Sequence, residues 1–347
     1  MRKYHYDYLR VLAMIGIIGA HCTAAFVDSA IDRNTISWWY GSFLQHIVRI
    51  GLPIFFMLSG SLALNRDYPC AIQYYKNRIV KILLPFLVYS CFYVAVSYDF
   101  SANGPLKLIP YYIKCVITGN VSYHLWFVYS IIGLYLCTPF LTKMLHSMSR
   151  NMLSLLVVFM LAVQILKIYP PFVGIHVEID DFIFSGWVLY YILGYYLSQK
   201  EIYSKIPSVL LAAAFLVSLI LTEIIWWWYP QYANGMYDFS LTMILMSCAV
   251  FVWFEKKAGC FPAPPASIYK AVSFVGNYSY SIYLIHAMVL SELVGTRMGI
   301  TIYWSNYIIS STVRILLVFI ISLSVSIAVD TCLVKPLQKI LSKVLSV

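Results

Sequence analysis

The sequence predicts an all-α integral membrane protein, a bundle of about ten transmembrane helices with both termini in the cytoplasm. Three observations carry that expectation. First, 61% of the 347 residues are hydrophobic and only 11% are charged, where a soluble chain carries about a quarter charged. Second, apolar runs recur near 8–27, 42–64, 79–98, 122–142, 152–168, 182–198, 208–228, 237–254, 272–293 and 308–333. Each approaches the roughly 20 residues that cross a bilayer. Third, the cations are shared unevenly. Sixteen Lys and Arg fall in one set of loops and five (Arg33, Lys107, Lys114, Lys167 and Arg297) in the other. Lys and Arg accumulate on the cytoplasmic side, so the net charge of +10 reads as topology and not as a nucleic-acid footprint.

The first run is read as a retained span. Met1, Arg2 and Lys3 precede it, but Asp7, Arg10 and His21 interrupt it and no small-residue cleavage site follows. Breaker clusters separate the later runs: "NRDYPC" at 65–70, "SANGP" at 101–105, "YPPFVG" at 169–174, "YPQYANG" at 229–235 and "CFPAPPAS" at 260–267. No loop is longer than about 25 residues or has the composition of a soluble domain. The expectation is therefore one membrane-embedded domain over residues 1–347, with no appended soluble domain. The eight cysteines form no CxxC and lie mostly in apolar segments, which argues against a disulfide framework and against any metal site. "SWWY" at 37–40 and "WWWYP" at 226–230 fit an interfacial aromatic belt, with a sugar-binding rim as the sharper alternative. Asp28, Asp32, Asp99, Glu178, Asp180, Asp181 and Asp238 gather in the outer loops, where topology and solubility account for them.

The polar groups inside the spans are the informative ones, since intramembrane ionisable residues normally face a bundle interior or a watery cavity. Arg10 and His21 stand eleven residues apart, three helical turns plus about 20°, so they share one face about 16 Å apart along the axis. Asp7 lies on the same stripe. Alone, Arg10 reads equally well as a snorkelling side chain; the aligned pair favours a functional reading over a snorkelling arginine and a histidine satisfied by a neighbouring helix. In "HIVRIGLPIFFMLSG", 46–60, Pro53 should interrupt the helix. Arg49 needs a partner or an anionic ligand, and Ser59-Gly60 allows a close helix approach. Arg66, Lys76, Arg78 and Lys81 concentrate cations at one mouth and suit a polyphosphate ligand as well as they suit topology. His124 and Trp126 open a later span. Gly276, Ser279, Tyr283 and His286 repeat at intervals of 3, 4 and 3, again along one face.

Together these describe a cationic cytoplasmic mouth, an arginine on the wall of the first span and a histidine deeper on the same wall. Histidine is the usual base for activating a hydroxyl near neutral pH. The separation of about 16 Å suits a phosphorylated, long-armed acyl donor.

These same segments resemble the signature of acyltransferase family 3, multi-span membrane enzymes that modify cell-surface glycans. That family has an arginine, ten residues, then a histidine in its first span, matched by Arg10 and His21. Its "PxFFxxSG" stretch is similar to Pro53 to Gly60, and its basic segment ending in proline to Arg78 through Pro85. Its "HLWFL" and "YSxYLxH" stretches resemble His124 to Val128 and Tyr280 to His286. The resemblance implies that His21 is the catalytic base, that Arg10 helps hold acyl-CoA, and that Arg78 and Lys81 meet its phosphates. Asp7, Arg49, Ser59, His124, Trp126, Tyr283 and His286 are the candidate pore or acceptor-lining residues. Acyl-CoA, most simply acetyl-CoA, is then a donor substrate, with no permanently bound cofactor. The partners are a glycan or lipid-linked sugar and the lipid of a bacterial cytoplasmic membrane, with no nucleic acid. Two other classes also use a polar membrane interior. One is a proton-coupled transporter built on Arg10, His21, Arg49 and Glu292, for which inverted repeats are lacking; the other is a ligand-binding membrane sensor.

Overall fold

A computed structural model describes residues 3–24, 34–175, 177, 185–229, 237–263, 265–300 and 306–346, and every regular element among them is helical. In chain order these are α1 (His5–Cys22), α2 (Ile36–Arg49), α3 (Gly51–Leu64), α4 (Ala71–Arg78), α5 (Leu84–Ser97), α6 (Phe100–Asn103), α7 (Leu108–Thr118) and α8 (Trp126–Ser147). They are followed by α9 (Arg150–Ile168), α10 (Trp187–Leu197), α11 (Lys200–Tyr203), α12 (Ser208–Trp228), α13 (Leu241–Lys256), α14 (Ser267–Met288), α15 (Tyr307–Val329) and α16 (Lys335–Leu345). Wider π-helical turns occupy Ile79–Leu83, Val289–Arg297 and Asp330–Val334. Among the outer acidic residues, Asp28, Asp32, Glu178, Asp180 and Asp181 lie outside the described residues, as do Arg33 and most of "YPQYANG".

Each of the ten apolar runs overlaps helix among the described residues, where six helical stretches are long and apolar enough to cross a membrane. These are Ile36–Leu64, Ala71–Ser97, Trp126–Ser147, Arg150–Ile168, Ser208–Trp228 and Tyr307–Leu345. The expected count of ten is not confirmed by that measure among the described residues. α1 has the length but carries Asp7, Arg10 and His21, and α14 is diluted by tyrosines and serines. α10 and α13 are short, at 11 and 16 residues. α7 was not anticipated from the sequence.

The chain divides into two compact units. One comprises Met1–Arg66, Leu141–Ser279 and Thr301–Leu316; the other comprises Asp67–Phe140, Tyr280–Ile300 and Leu317–Val347. In the first unit, α3 lies against α1 and α10 at contacts made possible by glycine. A Cβ on Gly60 would overlap the Tyr191 carbonyl, and one on Gly194 would overlap that of Met57. Backbones approach this closely only where side chains are missing. Pro53 lacks the N–H that would hold the Arg49 carbonyl four residues earlier, and α2 ends at Arg49, with Ile50 between it and α3. The expected interruption is present, and it falls at the arginine.

In the second unit, the π turn at Ile79–Leu83 leaves backbone carbonyls to be satisfied by side chains. Gln338 Nε2 donates to Val80 O at 3.0 Å, and the Tyr280 hydroxyl donates to Ile82 O at 3.1 Å. Buried carbonyls inside a bundle must find such donors. All eight cysteines are free thiols, and among the described residues no group of three or more potential ligands could hold a metal.

Candidate functional site

Within the first unit, α1 carries polar groups at both ends. At its N-terminal end, Arg10 Nη1 donates to Asp7 Oδ1 at 3.0 Å, and the Tyr269 hydroxyl donates to the other oxygen of Asp7 at 2.9 Å. Asp7 is therefore a buried counter-ion that orients Arg10. Nearby, Glu255 is buried at the end of α13 and accepts from Lys3 at 3.1 Å and from the Tyr6 hydroxyl, with His5 Nε2 3.3 Å from its second oxygen. Two donors on one carboxylate, with the His5 ring close by, answer the cost of burying it and fasten the start of α1 to α13. A cavity of about 870 Å³ opens here, walled by Lys3, Tyr6, Asp7, Arg10, Ser61, Asn65, Arg66 and Asn277. Its wall carries three cations and one carboxylate, a balance that favours an anionic ligand.

His21 sits in the last turn of α1 and is partly buried. Its electrostatic neighbour is Arg49. The helices meet through Gly16 and Gly51: a Cβ on Gly16 would lie 2.7 Å from the Val48 carbonyl oxygen, and one on Gly51 would overlap that of Ala13. Combined with the break that Pro53 imposes, this crossing sets Arg49 level with the end of α1. Arg49 is held twice. Its Nε donates to Gln45 Oε1 at 3.2 Å, and Gln45 in turn donates to Thr23 Oγ1 at 2.6 Å. Its guanidinium carbon also lies 3.4 Å from the centre of the Tyr237 ring, a cation–π contact. Arg314 Nη1 donates to the Cys22 carbonyl at 3.4 Å, placing a cation at the C-terminus of α1. His21 is not among the residues walling the cavity at Arg10.

Sequence reasoning missed a buried histidine–carboxylate pair beside this site. His46 is fully buried on α2, and its Nδ1 lies 2.6 Å from Glu223 Oε1 on α12. The Ser42 hydroxyl donates to the other oxygen of Glu223. Glu223 is the one carboxylate in the apolar run 208–228. The rule that singled out His21, that an ionisable group inside a span is a functional candidate, would have found it. The tryptophan clusters also differ from a simple belt. Trp39 and Trp228 are exposed as an interfacial belt requires, whereas Trp38 and Trp226 are buried with Tyr237 and Tyr307.

In the second unit, Arg78 is half-buried between aromatic faces. Its guanidinium carbon is 4.4 Å from the Tyr135 ring centre and 4.9 Å from that of Tyr74. Lys81 is exposed within the first π turn. His124 is buried with its ring centre 5.0 Å from that of His286, and the Tyr283 hydroxyl donates to the His124 carbonyl. His286 Nδ1 lies 2.6 Å from the Tyr283 carbonyl, while Trp126 is largely exposed at the start of α8. Ser59, in the first unit, is half-buried beside the Gly60 contact. A second missed carboxylate is Asp330, which accepts from Ser281 at 2.7 Å and from Tyr89 at 3.0 Å.

Comparison with known proteins places this geometry in context. The family described as an acyltransferase domain matches residues 3–331. Proteins from Staphylococcus aureus strains MRSA252, MSSA476 and N315, each called a probable poly-beta-1,6-N-acetyl-D-glucosamine export protein, are 21% identical over 301 residues, covering 82% of this chain and 82% of theirs. No solved structure matches the chain.

Proposed function

The chain belongs to the acyltransferase domain family over residues 3–331, and on that premise we propose that it moves an acyl group, most simply acetyl, from acyl-CoA to a hydroxyl of a cell-surface glycan or lipid-linked sugar. The observation that carries the reading is the arrangement on α1. Arg10 lines a cation-rich cavity at one end, and at the other end, where His21 sits, Arg49 is tied through Gln45 to Thr23. Arg10 and His21 lie on one helix face, about 16 Å apart.

In this reading the cavity takes the anionic part of acyl-CoA, which is a substrate and not a resident cofactor. His21 accepts the proton of the acceptor hydroxyl as its oxygen bonds to the acyl carbon. The carbon–sulfur bond then breaks, and the proton passes from His21 to the departing thiolate. The products are an ester and free CoA, and His21 returns to its starting form. Arg49, tied to the same end of α1, would meet the negative charge that builds on the acyl carbonyl oxygen, the position at which a fixed donor accelerates acyl transfer most. Arg78 and Lys81 are assigned to the phosphates of CoA because their segment resembles the family's basic stretch, with the Arg78 guanidinium beside the Tyr74 and Tyr135 rings. The positive-inside bias puts the cavity mouth at the cytoplasm, where CoA is found, in a bacterial cytoplasmic membrane.

A second reading, glycan movement across the membrane, draws on the word "export" in the name of the staphylococcal relatives. One assay separates the two. Purified protein is given acetyl-CoA with and without a cell-surface glycan extract, and free CoA is measured by chromatography. Acyl transfer predicts CoA release that rises with the glycan. Glycan passage into vesicles with no CoA release would favour transport.

A further inference from the structure

Arg49 presents a problem of placement. It must hold a long, flexible cation still beside His21, yet among the described residues its only hydrogen bond runs from Nε to Gln45. Its two terminal nitrogens are therefore left for a ligand. The guanidinium plane is set instead by the Tyr237 ring, 3.4 Å away. Tyr237 is in turn packed on two rings, those of His46 at 5.9 Å and Trp226 at 5.4 Å between centres. His46 is fixed by Glu223 at 2.6 Å, and Glu223 by Ser42. The Tyr190 hydroxyl holds the next residue by donating to the Asp238 carbonyl. The φ of 33° at Asp238 is a backbone conformation that needs such support.

A hydrogen-bonded polar pair this deep would be replaced by apolar groups at little cost if packing were all it served. Its carboxylate fixes the orientation of a ring whose neighbour carries the arginine. We propose that Glu223, acting through His46 and Tyr237, is a positioning residue for Arg49, and that the free nitrogens of Arg49 receive the acyl carbonyl oxygen during attack at His21. The inference rests on the acyl-transfer reading and adds to it a chain of residues from α12, α2 and the turn before α13 that no motif in the sequence marks.

The test is a kinetic cycle in detergent-purified protein, with acetyl-CoA as donor and a glycan extract as acceptor, each variant first checked for a single size-exclusion peak and for thermal unfolding. Glu223→Gln and Tyr237→Leu are expected to lower kcat about tenfold or more with KM for acetyl-CoA nearly unchanged, because the donor is bound elsewhere. Tyr237→Phe, which keeps the ring, restores what Tyr237→Leu loses. In a double-mutant cycle, Glu223→Gln added to Arg49→Lys costs nothing further. Independent, additive losses would overturn the proposal, as would a rise in KM that accounts for the effect or wild-type kcat in Glu223→Gln. If Glu223→Gln does not fold, the tyrosine pair decides: equal kcat in the Phe and Leu variants overturns it. Wild-type protein that releases no CoA from any acyl-CoA would instead sink the acyl-transfer reading itself.

Discussion

Replacing Gly51 with alanine tests how the fold places the chemistry. A Cβ at this position would overlap the Ala13 carbonyl oxygen and lie 3.0 Å from the Ile17 nitrogen and 3.3 Å from the Ala13 carbonyl carbon. All three obstacles are backbone atoms of α1, so no rotamer change relieves them. The helices must separate by roughly an ångström, and overpacking of this kind costs about 1–3 kcal/mol. The catalytic effect should be larger than the stability effect. Gly51 is two residues from Arg49, and Ile17 is one turn before His21, so the separation occurs between the two groups that must act together. A misplacement of about 1 Å can cost on the order of 10²-fold in rate. The assay is CoA release at saturating acetyl-CoA, alongside thermal unfolding in the same detergent. Gly133→Ala is the control, because a Cβ there meets nothing within 4 Å, and losing a helical glycine there changes stability by at most about 1 kcal/mol in its favour. Gly51→Ala with wild-type kcat would refute the argument that this crossing sets the register of His21 and Arg49.

Three other predictions follow from the same geometry. Arg78→Gln and Lys81→Gln should raise KM for acetyl-CoA more than they lower kcat; a fall in kcat alone would assign them to structure. Asp330→Ala strands the Ser281 and Tyr89 hydroxyls and should lower stability by about 1–3 kcal/mol for each buried group left unpaired, seen as a lower unfolding temperature; an unchanged temperature would contradict this. Cys70 and Cys260 are exposed and adjoin cation-rich loops. A membrane-impermeant maleimide should therefore label them in inverted vesicles and not in intact cells, and the reverse pattern would invert the topology.

The sequence made the helices legible because apolar runs and charge asymmetry are local signals. Arg10, His21 and Arg49 stood out for the same reason, as costly residues within apolar stretches. Local signals do not reveal what those residues meet. Glu223 and His46 are 177 positions apart, and Asp7 and Tyr269 are 262 apart; only the packing of α12 on α2, and of α14 near α1, brings each pair together. The π turns were also hidden, since nothing in "IVKIL" or "DTCLV" distinguishes them from ordinary helix. Pro53 shows the intermediate case. Its interruption was foreseeable, but that the break would fall at Arg49, against α1, depended on the glycine crossing.

The central claim is that acyl transfer takes place at His21, and the most direct measurement is transfer of labelled acetyl from acetyl-CoA to glycan by wild-type protein beside His21→Asn, a near-isosteric change that removes the base. Labelled glycan and stoichiometric free CoA are expected with wild type, and a loss of about two orders of magnitude or more in kcat with the variant still folded and still binding acetyl-CoA. Equal labelling by the two proteins would contradict it.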